Sequence, residues 1–173
     1  MRFHQLEECR YNREDEVEVL ALPYKDHNYE FVVFLPSERV KFEDFRALLT
    51  GEILKRFHMH ANKSSVNVII PKFKLTSEPQ VKEMLEHIGI NQLFKFSCDL
   101  KGVSDRENLY VDDVIHKAVV EVNEEGTEAA AVTAFTMVLG CASMGLPIDF
   151  YADRPFVFGI FCGNEPIFIG QYC

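Results

Sequence analysis

No apolar run in this sequence approaches the roughly 20 residues that span a bilayer, so no membrane helix is expected. Basic tracts are also absent. Lys plus Arg number 18 against 27 for Asp plus Glu, a formal charge of −9. Such a chain offers no cationic surface to nucleic acid phosphates. The opening stretch from Met1 to Glu8 lacks the apolar core of a secretory signal. The five cysteines (Cys9, Cys98, Cys141, Cys162 and Cys173) are odd in number and include no C-x-x-C pair. That pattern excludes a disulfide framework and points to free thiols in a reducing compartment. There is no G-x-S-x-G, no H-E-x-x-H and no phosphate-binding glycine loop. A conventional catalytic set, a resident metal and a cofactor are therefore not expected, and the chain does not read as an enzyme.

What is present is ordinary globular material, 173 residues with 47% apolar and 26% charged, the length of one domain. Val17 to Leu22 and Tyr29 to Leu35 read as strands joined through the turn residues Asp26, His27 and Asn28, which predicts a hairpin. The polar run Asn12 to Glu16 before them reads as a solvated turn. Phe42, Phe45, Leu48 and Leu49 recur at helical spacing and predict a helix ending near Gly51. A second helix is predicted from Ser77, with Pro79 in its first turn and Gln80 completing a capping box. Val81, Met84, Leu85 and Ile88 would line one face of it, and Gly89 would stop it. Val66 to Ile70 reads as a strand broken at Pro71, with Phe73 and Leu75 continuing beyond. Val114 to Val122 is a long run rich in β-branched residues. Phe156 to Phe161 and Pro166 to Gly170 form a closing pair around a turn at Gly163, Asn164 and Glu165. The sum is α+β with mostly antiparallel sheets.

Three small patterns invite a chemical reading. His58-Met59-His60 would place two imidazoles on one face of a strand, but no third metal ligand accompanies them, so a polar surface strand is the simpler expectation. Asn62-Lys63-Ser64 matches a glycosylation acceptor. Cys141 with a histidine would make a thiol nucleophile, although nothing in the sequence brings the two together. The unusual segment is Glu124-Glu125-Gly126-Thr127-Glu128-Ala129-Ala130-Ala131, which follows directly from the long strand. Two acids and a glycine lead into a run of small side chains. From Phe135 to Ile148 no residue is charged. Small residues bury little apolar surface and hold a segment in place poorly. They also suit a segment that must slide between two existing strands without clashing with the layer beneath.

Val119 to Ala131 resembles the hinge of a serpin, and Phe150 to Ile160 (FYADRPFVFGI) resembles the signature of the same family. The two lie in the family's order. Phe34-Leu35-Pro36, Ile70-Pro71-Lys72-Phe73, Gly89-Ile90 and Phe94 resemble further family positions, so the likeness covers essentially the whole chain. The resemblance implies a serpin-like α+β fold and a serine protease inhibitor that acts as a suicide substrate. A protease cleaves the exposed reactive loop (about residues 124–149), and the loop then inserts into the central sheet and drags the acyl-enzyme with it. Gly126 and Thr127 match the pivot, and Ala129, Ala130 and Ala131 match the small residues that insertion requires. Val132 departs from the family's small residue there, mildly, since strands accept β-branched side chains. His116 matches the histidine of the family's shutter region; without the family it reads as an ordinary buried histidine. Counting from the hinge places the scissile bond at Gly140–Cys141; counting back from Pro155 places it at Met144–Gly145, and Leu139 is a further candidate for the specificity residue. No basic residue lies between Phe135 and Ile148, so the implied targets are chymotrypsin-like, elastase-like or papain-like rather than trypsin-like.

A serpin domain is much longer than this chain. The resemblance therefore makes residues 1–173 the C-terminal part of one such domain, lacking the N-terminal helices and part of the central sheet. Trapping would then require a complementary N-terminal half. The other reading is a non-inhibitory serpin-like binding module or an inactive truncated fragment. The free cysteines and the lack of a leader favour a cytoplasmic, ovalbumin-like member; the missing start of the domain leaves an extracellular one open.

Overall fold

The structure, a computed structural model, describes residues 1–104, 109–123 and 146–173, with the side chains of 4 and 5 left aside. It divides into two compact units, Met1–Phe73 with Val122–Cys173, and Lys74–Glu121.

The first unit is built on a six-stranded antiparallel sheet. Its strands are β2 (Arg10–Glu14), β3 (Val17–Pro23), β4 (Tyr29–Pro36), β5 (Asn62–Lys63), β10 (Phe156–Cys162) and β11 (Glu165–Tyr172), in the order β11-β10-β4-β3-β2-β5. The predicted hairpin is β3–β4, running from Val17 opposite Pro36 to Pro23 opposite Glu30. The predicted closing pair is β10–β11. The run Asn12 to Glu16 is only half a turn. Asn12 to Glu14 belong to β2, an outer strand whose alternating polar residues carry little apolar signal, and the turn itself is Asp15-Glu16, both at positive φ.

Central strands β4 and β10 are apolar on both faces, so the strict alternation of a one-sided sheet is lost. One face packs against α1 (Phe42–Leu48) and α2 (Gly51–His60): Val17, Val19, Ala21, Val32, Phe34, Val157 and Phe161 meet Phe45, Leu54 and Phe57. Gly51 opens α2 instead of ending the helix before it. Thr50 is extended and its Oγ1 accepts from the Ile53 N–H at 3.2 Å, so the chain restarts as a capped helix. On the other face Phe73 packs on Phe156, Phe158 and Tyr172, with ring centroids 5.1–6.2 Å apart. Two strand glycines are required by close approach. A Cβ on Gly170 would lie 2.5 Å from Cζ of Phe158, and one on Gly159 would lie 3.0 Å from the Phe168 carbonyl oxygen.

The C-terminal half of α2 is tied to the sheet by a buried ionic cluster. His58 is 1% exposed, so it is not on a polar surface strand as expected; it lies on the buried stripe Leu54, Phe57, His58. His60, two residues on, turns to the surface and meets Glu14 at 2.7 Å. A helix separates i and i+2, which ends any reading of the pair as joint metal ligands. Arg10 holds Glu30 through two hydrogen bonds of 3.0 and 2.5 Å, and its Nη1 donates to the carbonyls of His58 and Ala61 at the end of α2. His58 Nε2 lies 2.6 Å from Glu30 Oε2, and its ring stacks on Phe161 at 4.4 Å. Among the described residues Nδ1 has no hydrogen-bond partner.

A smaller sheet of β1 (Arg2–Leu6), β6 (Val66–Ile69) and β9 (Ile148–Tyr151) completes this unit, with β1–β6 antiparallel and β6–β9 parallel.

The second unit holds α3 (Val81–His87) and the two-stranded sheet of β7 (Phe73–Ser77) and β8 (Ala118–Val122). The helix begins after Gln80, whose side chain makes no cap; Ser77 is committed to β7 and cannot cap it. Gly89, at φ +94°, follows the helix as predicted. The long strand shortens to Ala118–Val122, the length that five-residue β7 can pair. No described residue between Lys74 and Glu121 is buried, and Met84 and Ile88 of the expected apolar face are exposed.

Two stability measurements follow. Burial pushes the Glu30 carboxyl up, but the hydrogen bonds from His58 and Arg10 outweigh it and hold it at about 2, below its ordinary 4.5. A depressed carboxylate contributes stability that is complete above the unfolded value and lost as pH falls from there toward about 2. Thermal unfolding of the chain should weaken across that window. Glu30→Gln should cost about 2–3 kcal/mol at neutral pH and flatten the acid limb; an unchanged limb would assign it elsewhere. Gly170→Ala should cost about 1–3 kcal/mol through overpacking, whereas Gly51→Ala, whose Cβ meets nothing within 4 Å, should leave the melting temperature almost unmoved.

Candidate functional site

The sequence points to the segment between β8 and β9. The hinge residues Glu124, Glu125, Gly126, Thr127, Glu128, Ala129, Ala130 and Ala131 and the scissile-bond candidates Leu139, Gly140, Cys141, Met144 and Gly145 lie outside the described residues. The structure describes the two anchors on either side of them.

On the N-terminal side, β8 ends in Val122, which is buried, and Asn123. His116 is exposed, two residues before β8 begins, rather than buried within a strand. Within this unit Lys74 pairs with Glu121 at 2.8 Å and Lys117 with Glu78 at 2.7 Å. The mutual hydrogen bond raises the Lys74 amine and lowers the Glu121 carboxyl.

On the C-terminal side, Leu146 is 95% exposed, and the chain is then captured within two residues. The Ile148 N–H donates to the Ser65 carbonyl at 2.9 Å, the Ala152 N–H donates to Ile69 at 2.8 Å, and Val66 to Ile69 stand opposite Ile148 to Tyr151. Asn67 Nδ2 adds a bond to Asp149 at 2.8 Å. Asp149 and Tyr151 also line an open polar cleft of about 430 Å³, shared with Arg13, Ser37, Arg39 and Arg154.

Most of the signature stretch Phe150 to Ile160 is architectural. Phe150, Phe156 and Phe158 are fully or almost fully buried. Arg154 turns the corner between the two sheets: its Nε donates to the Pro36 carbonyl at 2.8 Å, Nη1 to Asp153 at 2.8 Å, and Nη2 lies 3.5 Å from Glu18. Gly159 is the close-approach glycine of β10. None of these side chains forms a nucleophile–base pair, and among the described residues no group of three or more His, Cys, Asp or Glu is placed to hold a metal. Cys9 is buried, its Sγ donating to the carbonyls of Leu6 and Ser64, and burial pushes its thiol up to about 11, which makes it inert as a nucleophile.

Residue patterns alone missed the Arg10–Glu30–His58 cluster. The available signal was the helical spacing of Leu54, Phe57, His58 and Ala61, which assigns His58 to the buried face. Arg154 was visible only as a member of a motif.

Comparison with known proteins places these observations. Residues 1–173 match the family model for serpin (serine protease inhibitor). The chain is 40% identical over 148 residues to intracellular coagulation inhibitor 2 of Tachypleus tridentatus, covering 86% of this chain and 36% of that protein. It is 40% identical over 157 residues to iripin-3 of Ixodes ricinus, covering 90% of this chain and 40% of that one. The native-state crystal structure of tengpin, a thermophilic serpin, superposes with a TM-score of 0.76 at 32% identity, over 99% of this chain and 44% of that chain. The chain thus spans about two fifths of the length of the curated relatives it matches. With a match along its whole length, a partial α+β fold shared with solved members and a signature stretch in its structural role, the chain belongs to the serpin family.

Proposed function

We propose that this chain is the C-terminal part of a serpin domain and contributes the reactive loop of a protease inhibitor, acting once a complementary N-terminal half is present. The supporting observation is physical. The whole unit Lys74–Glu121, including the strand that leads into the loop, contains no described buried residue. A segment of that size has no core of its own to offset the entropy of ordering it. It needs further sequence to cover it, and the matched relatives are longer by more than half their length.

In this reading Gly126 and Thr127 are the pivot, Ala129 to Ala131 the first residues to insert, and Gly140–Cys141 the bond cleaved, with Leu139 or Met144–Gly145 as alternatives. His116 contributes to the shutter beneath the inserting strand. The target is a chymotrypsin-like, elastase-like or papain-like protease, since no cation lies in the loop for a trypsin-like pocket. Among the described residues β8 pairs only with β7, so in this reading a protease meets the chain alone as a substrate. The names of the relatives, a coagulation inhibitor among them, support inhibition as the family activity.

The decisive experiment mixes the chain with elastase-like and cathepsin-like proteases, with and without a purified N-terminal half of a related serpin. An SDS-stable covalent complex should form only in the complemented mixture, and the chain alone should be cut between Gly140 and Gly145. Cleavage without any complex in both mixtures would leave the binding-module reading. Thr127→Arg should abolish trapping in the complemented mixture while leaving the rate of loop cleavage unchanged, because a charged pivot blocks insertion and not access. Trapping that survives this change would contradict the insertion account.

A further inference from the structure

The triplet Asn62-Lys63-Ser64 has a defined place in the fold but no part in the proposed inhibition. Asn62 and Lys63 are the two residues of β5, opposite Tyr11 and Arg10 of β2, and both are exposed. The segment is fastened by its backbone and its neighbours. Ala61 before it is buried, and its carbonyl accepts from Arg10 Nη1 at 3.1 Å. The Ser64 N–H donates to the Cys9 carbonyl at 3.1 Å. The Asn62 side chain makes one local bond, from Nδ2 to the His60 carbonyl at 2.8 Å. The Ser64 hydroxyl is folded onto the asparagine itself, donating to the Asn62 carbonyl at 2.9 Å.

We infer that Asn62 is an acceptor for an N-linked glycan when the chain is made in the secretory pathway. The triplet has the asparagine and hydroxyl the modification requires, and Lys63 stands where a proline would forbid it. The donor is an oligosaccharide carried on a lipid diphosphate. The Asn62 amide nitrogen attacks the anomeric carbon of its first sugar. The Nδ2–C1 bond forms as the bond from C1 to the diphosphate oxygen breaks. The lipid diphosphate leaves with that electron pair, and one amide proton passes to a base of the transferase. No oxidant or reductant is consumed.

The fold accommodates the product. Nδ2 carries two protons, so the one that remains after transfer can keep the bond to His60. The side chain that carries the sugar is at the surface, where a bulky solvated group displaces no packed residue. Pairing of β5 with β2 runs through the backbone and does not need the Asn62 amide. The assignment is also unambiguous. None of the other seven asparagines begins an Asn-x-Ser or Asn-x-Thr triplet, so a single glycan on this chain has one place to be.

The test is translation of the 173-residue chain behind a cleavable secretory leader, in the presence of endoplasmic-reticulum microsomes. Protection from added protease identifies the translocated chains. These should include one slower-migrating species that endoglycosidase H returns to the mobility of the unmodified chain. Asn62→Gln and Ser64→Ala should each abolish that species, and Ser64→Thr should retain it. The readout is a mass on a denaturing gel, so it does not depend on whether a variant folds. A translocated, protease-protected chain that shows no shift would overturn the inference, as would a shift that survives Asn62→Gln.

Discussion

Everything in the larger unit follows from the double-sided burial of β4. Its residues from Phe31 to Pro36 are buried regardless of which face they point to, and β10 beside it is nearly as dry. A strand in that position needs a layer on each side. On one side the chain supplies the layer itself: α1 and α2 lie across Val32, Phe34, Val157 and Phe161, and Thr50 caps the second helix into place. On the other, Phe73 packs on Phe156 and Phe158, and nearer β11 Ile160 and Phe168 line an open groove.

The ionic cluster shows how tightly the completed side is made. Arg10 reaches from β2 to the end of α2, satisfies two terminal carbonyls of the helix, and forks onto Glu30. Glu30 is in turn within hydrogen-bond reach of His58, whose other face lies on Phe161. A carboxylate, a guanidinium and an imidazole are thus placed under a helix that otherwise packs on apolar residues. Removing any one leaves the others short of a partner in a medium that cannot solvate them, which is why such a cluster is demanding about geometry even where its net contribution is modest. It fixes which turn of α2 faces the sheet, and with it the direction in which the chain leaves toward β5 and β6.

Much of this architecture was legible in the sequence, in proportion to how local its causes are. The hairpin β3–β4 and the pair β10–β11 have long apolar runs and short turns, and both stand where expected. Strands β1, β5 and β9 have five, two and four residues and exist because distant segments pair with them, which no window of sequence reveals. Polar β2 was hidden because an outer strand has little to bury. Ser77 illustrates competition: its capping box is good, yet pairing of β7 with β8 claims the residue and delays the helix to Val81. His58 was misassigned because i, i+2 spacing means one face in a strand and opposite faces in a helix. The hinge proposed at Glu124 to Ala131 lies outside the described residues and rests on resemblance to a family, while physics read alone offered only a run of side chains too small to anchor themselves.

A reactive loop must be exposed, yet poised to become a central strand, so the sheet that receives it has to be incomplete before insertion. Under the proposed reading, that requirement places the least self-sufficient part of the chain next to the loop in sequence. Lys74–Glu121 fits it: an exposed two-stranded sheet, an unburied helix, and ion pairs at the surface in place of a core. In the first unit, by contrast, β4 is buried on both faces from Phe31 to Pro36, and Gly159 and Gly170 leave no room for a methyl group. The residues that make the fold recognisable, Arg154 and the buried phenylalanines around it, belong to the well-packed unit.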